Sequence, residues 1–252
     1  MPDWAQQSFQ QYSILWLLVS SVIGGIIGSS TKFVFDVVLP QRLQNRLQAK
    51  RLIAKYRNPI LRAGLDLQSR LYNIVDQSFL QIYFNRSDLD KEYAITSTLY
   101  VVAEYLAWTE ILRKEVQFLD LGNVQTSQEL ERLLGSISRQ FTSDAFDFTF
   151  RLPKGQQRAI GEIMIAKGES LECIGFAKFV SLLEKEPEFS RWFSNLREDI
   201  ERLAQQPKGY GERLPNDIRL AEIHDAVTRL LYFLDPNYIY VPAKRMRLLS
   251  SV

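Results

Sequence analysis

Residues Asn58 to Phe84 read NPILRAGLDLQSRLYNIVDQSFLQIYF. Leu61, Leu65, Tyr72, Val75, Phe79 and Ile82 recur at helical spacing and fall largely on one face. Pro59 suits the first turn of a helix, where a missing N–H leaves no bond unmade. A helix is therefore expected from Pro59 to about Phe84.

Downstream, the same punctuation repeats. Ser87-Asp88 caps a helix expected from about Leu89 to Leu119, closed by Leu121-Gly122-Asn123. Thr126-Ser127-Gln128-Glu129 is a capping box for a third helix that buries Leu130, Leu133, Leu134 and Ile137. Residues 142–154 lack the period. There Phe146, Phe148 and Phe150 alternate with Asp147 and Thr149, which predicts a short strand or extended loop. Helices return over about 155–167, 170–185, 187–205 and 214–235. Pro187 and Pro215 mark starts, and Asp235-Pro236 marks the last end. The pattern is that of an all-α, multi-helix bundle over residues 58–236.

Upstream, Ser13 to Thr31 (SILWLLVSSVIGGIIGSST) carries no charge. As a helix it would span about 28 Å, close to a bilayer's hydrocarbon thickness. Trp4, Tyr12 and Trp16 lie toward one end and Phe33 and Phe35 toward the other, the usual place for interfacial rings, and Lys32 has the stem to snorkel. A single transmembrane helix is expected over 13–35, after a short N-terminal segment, 1–12. A cleaved signal peptide would want a positive n-region, and residues 1–12 hold no Lys or Arg. Ser20, Gly24 and Gly28 form a row of small residues, and Ser21, Gly25 and Ser29 form the next. Gly24 and Gly28 are thus candidates for pairing two spans in a homodimer.

Residues 36–57 read as a basic helical stem. From Lys32 to Arg62 there are eight basic residues and one acid, Asp36. Set against a total of +2 and the lone Asp3 before Lys32, that leaves a mildly acidic body. Basic residues beside a span stay on the cytoplasmic side, so the N-terminus is expected outside and the body in the cytoplasm. Arg42, Arg46, Lys50 and Arg51 are candidates for contact with anionic lipid headgroups, alongside Trp16 and Lys32. The stem has no interleaved aromatics, so no nucleic-acid partner is expected.

Ala94 to Leu112 is also apolar enough to be scored as a span. Glu104 near its centre would be costly in lipid, so a core helix is expected there. Glu104 has no basic residue three or four positions away; if buried it needs a partner from another helix, with Arg70 and Arg158 the candidates. Asp66 can pair with Arg62 or Arg70, while Gln68 and Asn73 are suited to a network or a pocket wall. Arg158 and Glu162 can pair with each other. Gly161 between them points to close helix packing or to a ligand against the backbone. Asp66, Arg70, Glu104, Arg158 and Glu162 are therefore the candidate ligand-binding residues.

No catalytic residue can be named. His224 is the only histidine, so a two-histidine metal site within the chain is excluded, and no nucleophile has a recognisable setting around it. Cys173, the only cysteine, reads as a small core residue. No metal or other cofactor is expected. Residues 237–252 form a basic tail with Lys244, Arg245 and Arg247, expected to be mobile.

The segments 58–63, 66–74, 157–162 and 233–236 together resemble a group of uncharacterised bacterial membrane-anchored helical proteins. The resemblance spans about residues 58–242; it implies an anchored helical body and carries over no activity or site residue. The expectation is a membrane-tethered scaffold or regulatory protein with a cytoplasmic protein partner. The rival is a membrane-bound ligand sensor or enzyme with a polar pocket between helices.

Overall fold

The structure is a computed structural model that describes residues 39–116, 124–166, 168 and 170–250. The predicted span, with Trp16, Gly24, Gly28 and Lys32, lies outside the described residues. Arg42, Arg46, Lys50 and Arg51 lie on helical backbone whose side chains are not described there. The chain divides into two units, Met1–Lys50 and Arg51–Val252; the packing below is that of the second. It takes in the last residues of the predicted stem and all of the described tail.

Helix α1 runs from Leu39 to Asp76 with Pro59 inside it. This corrects the expected start at Pro59. An interior proline costs a helix about 3 kcal/mol. Here the residues around it hold the helix on the core: Tyr56, Ile60, Leu61, Ala63, Leu67, Leu71, Ile74 and Val75 are all buried. The expected run to Phe84 is broken instead at Ser78, a left-handed residue (φ 52°) whose Oγ donates to the Gly209 carbonyl at 3.0 Å. Helix α2 then covers Phe79–Phe84.

Helix α3, Asp88–Val116, starts where the sequence places it. Ser87 Oγ accepts the Asp90 N–H at 3.1 Å. Ala94, Ile95, Leu99, Val102, Ala103, Ala107 and Ile111 are buried, so the apolar 94–112 stretch is a core helix. No helix among the described residues is long and apolar enough to cross a membrane. Helix α4, Val124–Thr142, begins two residues before its expected capping box and buries Leu130, Leu133, Ile137 and Phe141.

The 143–153 segment is a loop rather than a strand. It turns at Phe150 (φ 58°), whose N–H donates to Asp199 Oδ2 at 2.7 Å. Helix α5, Lys154–Ile163, ends earlier than expected. The chain then forms a two-residue antiparallel ladder, β1 (Ile165–Ala166) with β2 (Glu172–Cys173), inside a region predicted helical. Helix α5 packs on α3. A Cβ on Gly161 would come within 2.8 Å of the Leu106 carbonyl oxygen and 2.9 Å of Glu110 Cβ. Of the two roles expected of that glycine, close helix packing is the one present.

Helices α6 (Phe176–Lys185), α7 (Pro187–Ser190) and α8 (Ser194–Gln205) follow, with a 3-10 turn at Arg191–Phe193. Phe179, Phe189 and Phe193 meet edge-to-face or tilted where these elements join, with centroids 5.3 to 5.7 Å apart. Helix α9, Ile218–Leu234, enters through a 3-10 turn at Pro215–Asp217 and packs on α4 and, through Val227 and Leu231 against Gly64, on α1. Its middle is buried almost all round: Leu220, Ile223, Val227, Leu230 and Leu231 face the core with Arg219, His224, Asp225 and Thr228 among them.

The described part of the tail, residues 237–250, packs on the body where a mobile tail was expected. Val241, Met246 and Leu249 are buried. The Asp235 carboxylate accepts the backbone N–H groups of Ile239, Tyr240 and Val241 at 2.8 to 3.0 Å, which turns the chain back over the body.

Candidate functional site

The five residues expected to line a pocket do not meet in one. Asp66 and Arg70 lie on α1, Glu104 on α3, and Arg158 and Glu162 on α5. Arg158 and Glu162 form an exposed pair at 3.9 Å, worth little to stability. Arg158 also edges a cleft of about 610 Å³ between α3, α4 and α5, where Glu110 is buried and takes a two-pronged bond from Arg113 at 2.5 and 2.8 Å.

Glu104 does not form the expected ion pair with Arg70 or Arg158. Burial raises its carboxyl above the ordinary range, and the nearby Asp66 carboxylate raises it further, against the hydroxyl of Tyr100. Arg70 instead lays its guanidinium over the Phe79 ring, 4.2 Å from the centroid. Burial and the Glu104 charge push the Cys173 thiol up to about 12, which leaves it protonated and unreactive near neutral pH.

A second cleft, of about 770 Å³, is built from parts far apart in sequence. Helix α1 supplies one wall with Gln68, Ser69, Tyr72, Asn73 and Asp76. The loop before α9 contributes Gly211 and Arg213, α9 contributes His224, and the tail brings Lys244, Arg247 and Leu249. The polar run on α1 that suited a pocket wall thus lines a real one.

The loop is fastened to α1 by buried polar contacts. Lys208 Nζ donates to Asp217 Oδ2 at 2.5 Å and to the Ile74 carbonyl at 3.1 Å, with both charged side chains almost wholly enclosed. Asp217 also accepts the Leu214 N–H at 2.8 Å. Gly211 adopts a positive φ of 73°, and its N–H reaches the Asp76 carbonyl at 2.9 Å. Arg213 donates to the Leu249 carbonyl and lies 4.0 Å from Asp76 Oδ1, joining loop, tail and α1.

Next to His224 on α9, Asp225 fastens the tail. Its carboxylate accepts from the Leu249 N–H at 2.7 Å, the Ser250 N–H at 2.8 Å and the Ser250 hydroxyl. His224 Nδ1 lies 2.9 Å from Asp225 Oδ1. Burial alone would raise the Asp225 carboxyl, but the bonds from His224, Ser250 and Leu249 prevail and bring it down to about 2. An ionised carboxylate only accepts, so the hydrogen of this pair sits on Nδ1 of the imidazole. Serine, aspartate and histidine are adjacent here, but the serine bonds to the aspartate and not to the imidazole. The set therefore holds the tail and does not activate a nucleophile.

Sequence inspection singled out His224, Gln68 and Asn73 separately. Nothing local joins them to Arg213, Lys244 and Arg247, because the loop meets α1 through long-range contacts such as Lys208 with Ile74 and Gly211 and Arg213 with Asp76. Comparisons of the chain with protein-family models, curated proteins and solved structures found no match.

Proposed function

We propose that this chain is a membrane-tethered, non-enzymatic regulatory interaction protein, with an N-terminal span, a basic lipid-facing stem and a cytoplasmic helical body. The observation that carries the non-enzymatic reading is how the residues capable of chemistry are occupied. His224 and Asp225 hold the tail, the Cys173 thiol is pushed up to about 12, and Glu110 is tied to Arg113. The tether rests on the uncharged 13–31 segment and the basic collar after it. Tyr232, Tyr238, Ile239 and Tyr240 are exposed around the turn fixed by Asp235, a surface composition suited to a protein partner.

The test is gentle purification of the full-length chain from its native membrane, with mass spectrometry of what accompanies it. The expected result is a protein that resists alkaline extraction and brings a stoichiometric partner. That partner is lost on deleting the body and kept when the span is exchanged for another. A chain that leaves the membrane at alkaline pH overturns the tether; a chain that arrives without a protein partner overturns the interaction reading.

A further inference from the structure

The cleft between α1, the loop before α9, and the tail holds positive charge that its own lining does not neutralise. Arg213, Lys244 and Arg247 face one lining carboxylate, Asp76, which Arg213 already approaches at 4.0 Å. The α1 wall also carries neutral hydrogen-bonding groups, Gln68, Ser69 and Asn73, and the ring of Tyr72. His224, 1% exposed, sits 6.4 Å ring to ring from Tyr72. Guanidinium and ammonium groups lining one cleft suit the charge and acceptor oxygens of a phosphate. A volume of about 770 Å³ leaves room for an organic group beyond the phosphate.

We propose that this cleft binds a small soluble phosphate ester, with Arg213, Lys244 and Arg247 on the phosphate and the α1 wall on the polar remainder. Two of the three cations belong to the tail, so the bound phosphate ties the tail to α1 and to the loop. Binding is therefore expected to slow the opening of the Asp225 latch, since a ligand that binds only the closed arrangement stabilises it by mass action. This site is independent of the membrane tether and of any protein partner.

The experiment is calorimetric titration of the detergent-solubilised full-length protein with AMP, ribose 5-phosphate and inorganic phosphate. Adenosine serves as the uncharged control and phosphatidylglycerol vesicles as the lipid arm. Saturable binding of AMP or ribose 5-phosphate is expected, with adenosine silent. Lys244→Ala and Arg247→Ala, both exposed side chains, should each weaken binding about tenfold or more while leaving the circular dichroism spectrum unchanged. In the unmodified protein, the bound ester should slow amide exchange at Leu249 and Ser250, a readout that depends on no variant. The proposal is overturned if neither ester saturates, if both variants bind as tightly as the parent, if only the vesicles bind, or if exchange at Leu249 and Ser250 is unchanged at saturation.

Discussion

Asp225 and Glu104 are both acids drawn partly out of water, and their carboxyls move in opposite directions. Asp225 on α9 is met by two backbone N–H groups, a hydroxyl and an imidazole, and falls to about 2. Glu104 on α3 is met by Tyr100 and by a second acid, Asp66, and rises. Burial is unfavourable to the charged form in both places, so donors decide the sign. Where donors converge, the charge becomes a structural pin; where they do not, it remains a cost.

Arg219 extends the comparison to a buried cation and should give the largest effect. It is fully enclosed and has no carboxylate at ion-pair distance among the described residues. Its guanidinium donates to the carbonyls of Gln140 at 2.7 Å, Ser143 at 2.9 Å and Asp147 at 2.6 Å. These carbonyls close the C-terminal end of α4 and the turn after it. Arg219→Ala should cost about 3–5 kcal/mol in urea unfolding, because it leaves those acceptors unsatisfied around a cavity. An unchanged midpoint would mean that water replaces the guanidinium without loss.

Asp225→Asn comes next, at about 2 kcal/mol, with faster amide exchange at Leu249 and Ser250. The pH dependence has a definite sign. The folded carboxyl lies below its ordinary value, 3.8, at about 2, so its contribution is complete above about pH 4. It is lost as pH falls through about 2, and it amounts to about 2 kcal/mol. The Asn variant should lack this acid-side loss. Parallel stability curves for the two proteins between pH 2 and about 5 would show that Asp225 is not the pin.

These contrasts mark how far the sequence was legible. Period and capping located most helices, because Ser87, Pro187 and Pro215 act on their own neighbours and the apolar faces of α3 and α4 are continuous. Pro59 misled because a local penalty of about 3 kcal/mol was outweighed by the burial of Ile60, Leu61, Ala63 and Leu67 against distant helices. The tail misled for the same kind of reason. It read as mobile, while Met246 and Leu249 are buried and its N–H groups find an acceptor 24 and 25 positions back. The cleft was legible along one wall, at Gln68 and Asn73, where polar groups interrupt an apolar helix. Its cations were not, since nothing local ties Arg213 to Arg247.

Glu104→Gln gives the smallest effect and the opposite sign. With its folded carboxyl above the ordinary range, ionised Glu104 disfavours the native state once pH exceeds the unfolded value. The penalty is absent in acid, where folded and unfolded chains are both protonated. It grows as pH rises and is complete above the folded value. A glutamine keeps the shape without the charge beside Asp66, so the variant should unfold at a slightly higher urea concentration at neutral pH and match the parent in acid. An ion pair with Arg70 would give the reverse, because glutamine would then abandon a largely buried cation. A variant less stable than the parent at neutral pH would therefore restore the ion pair and end the contrast with Asp225.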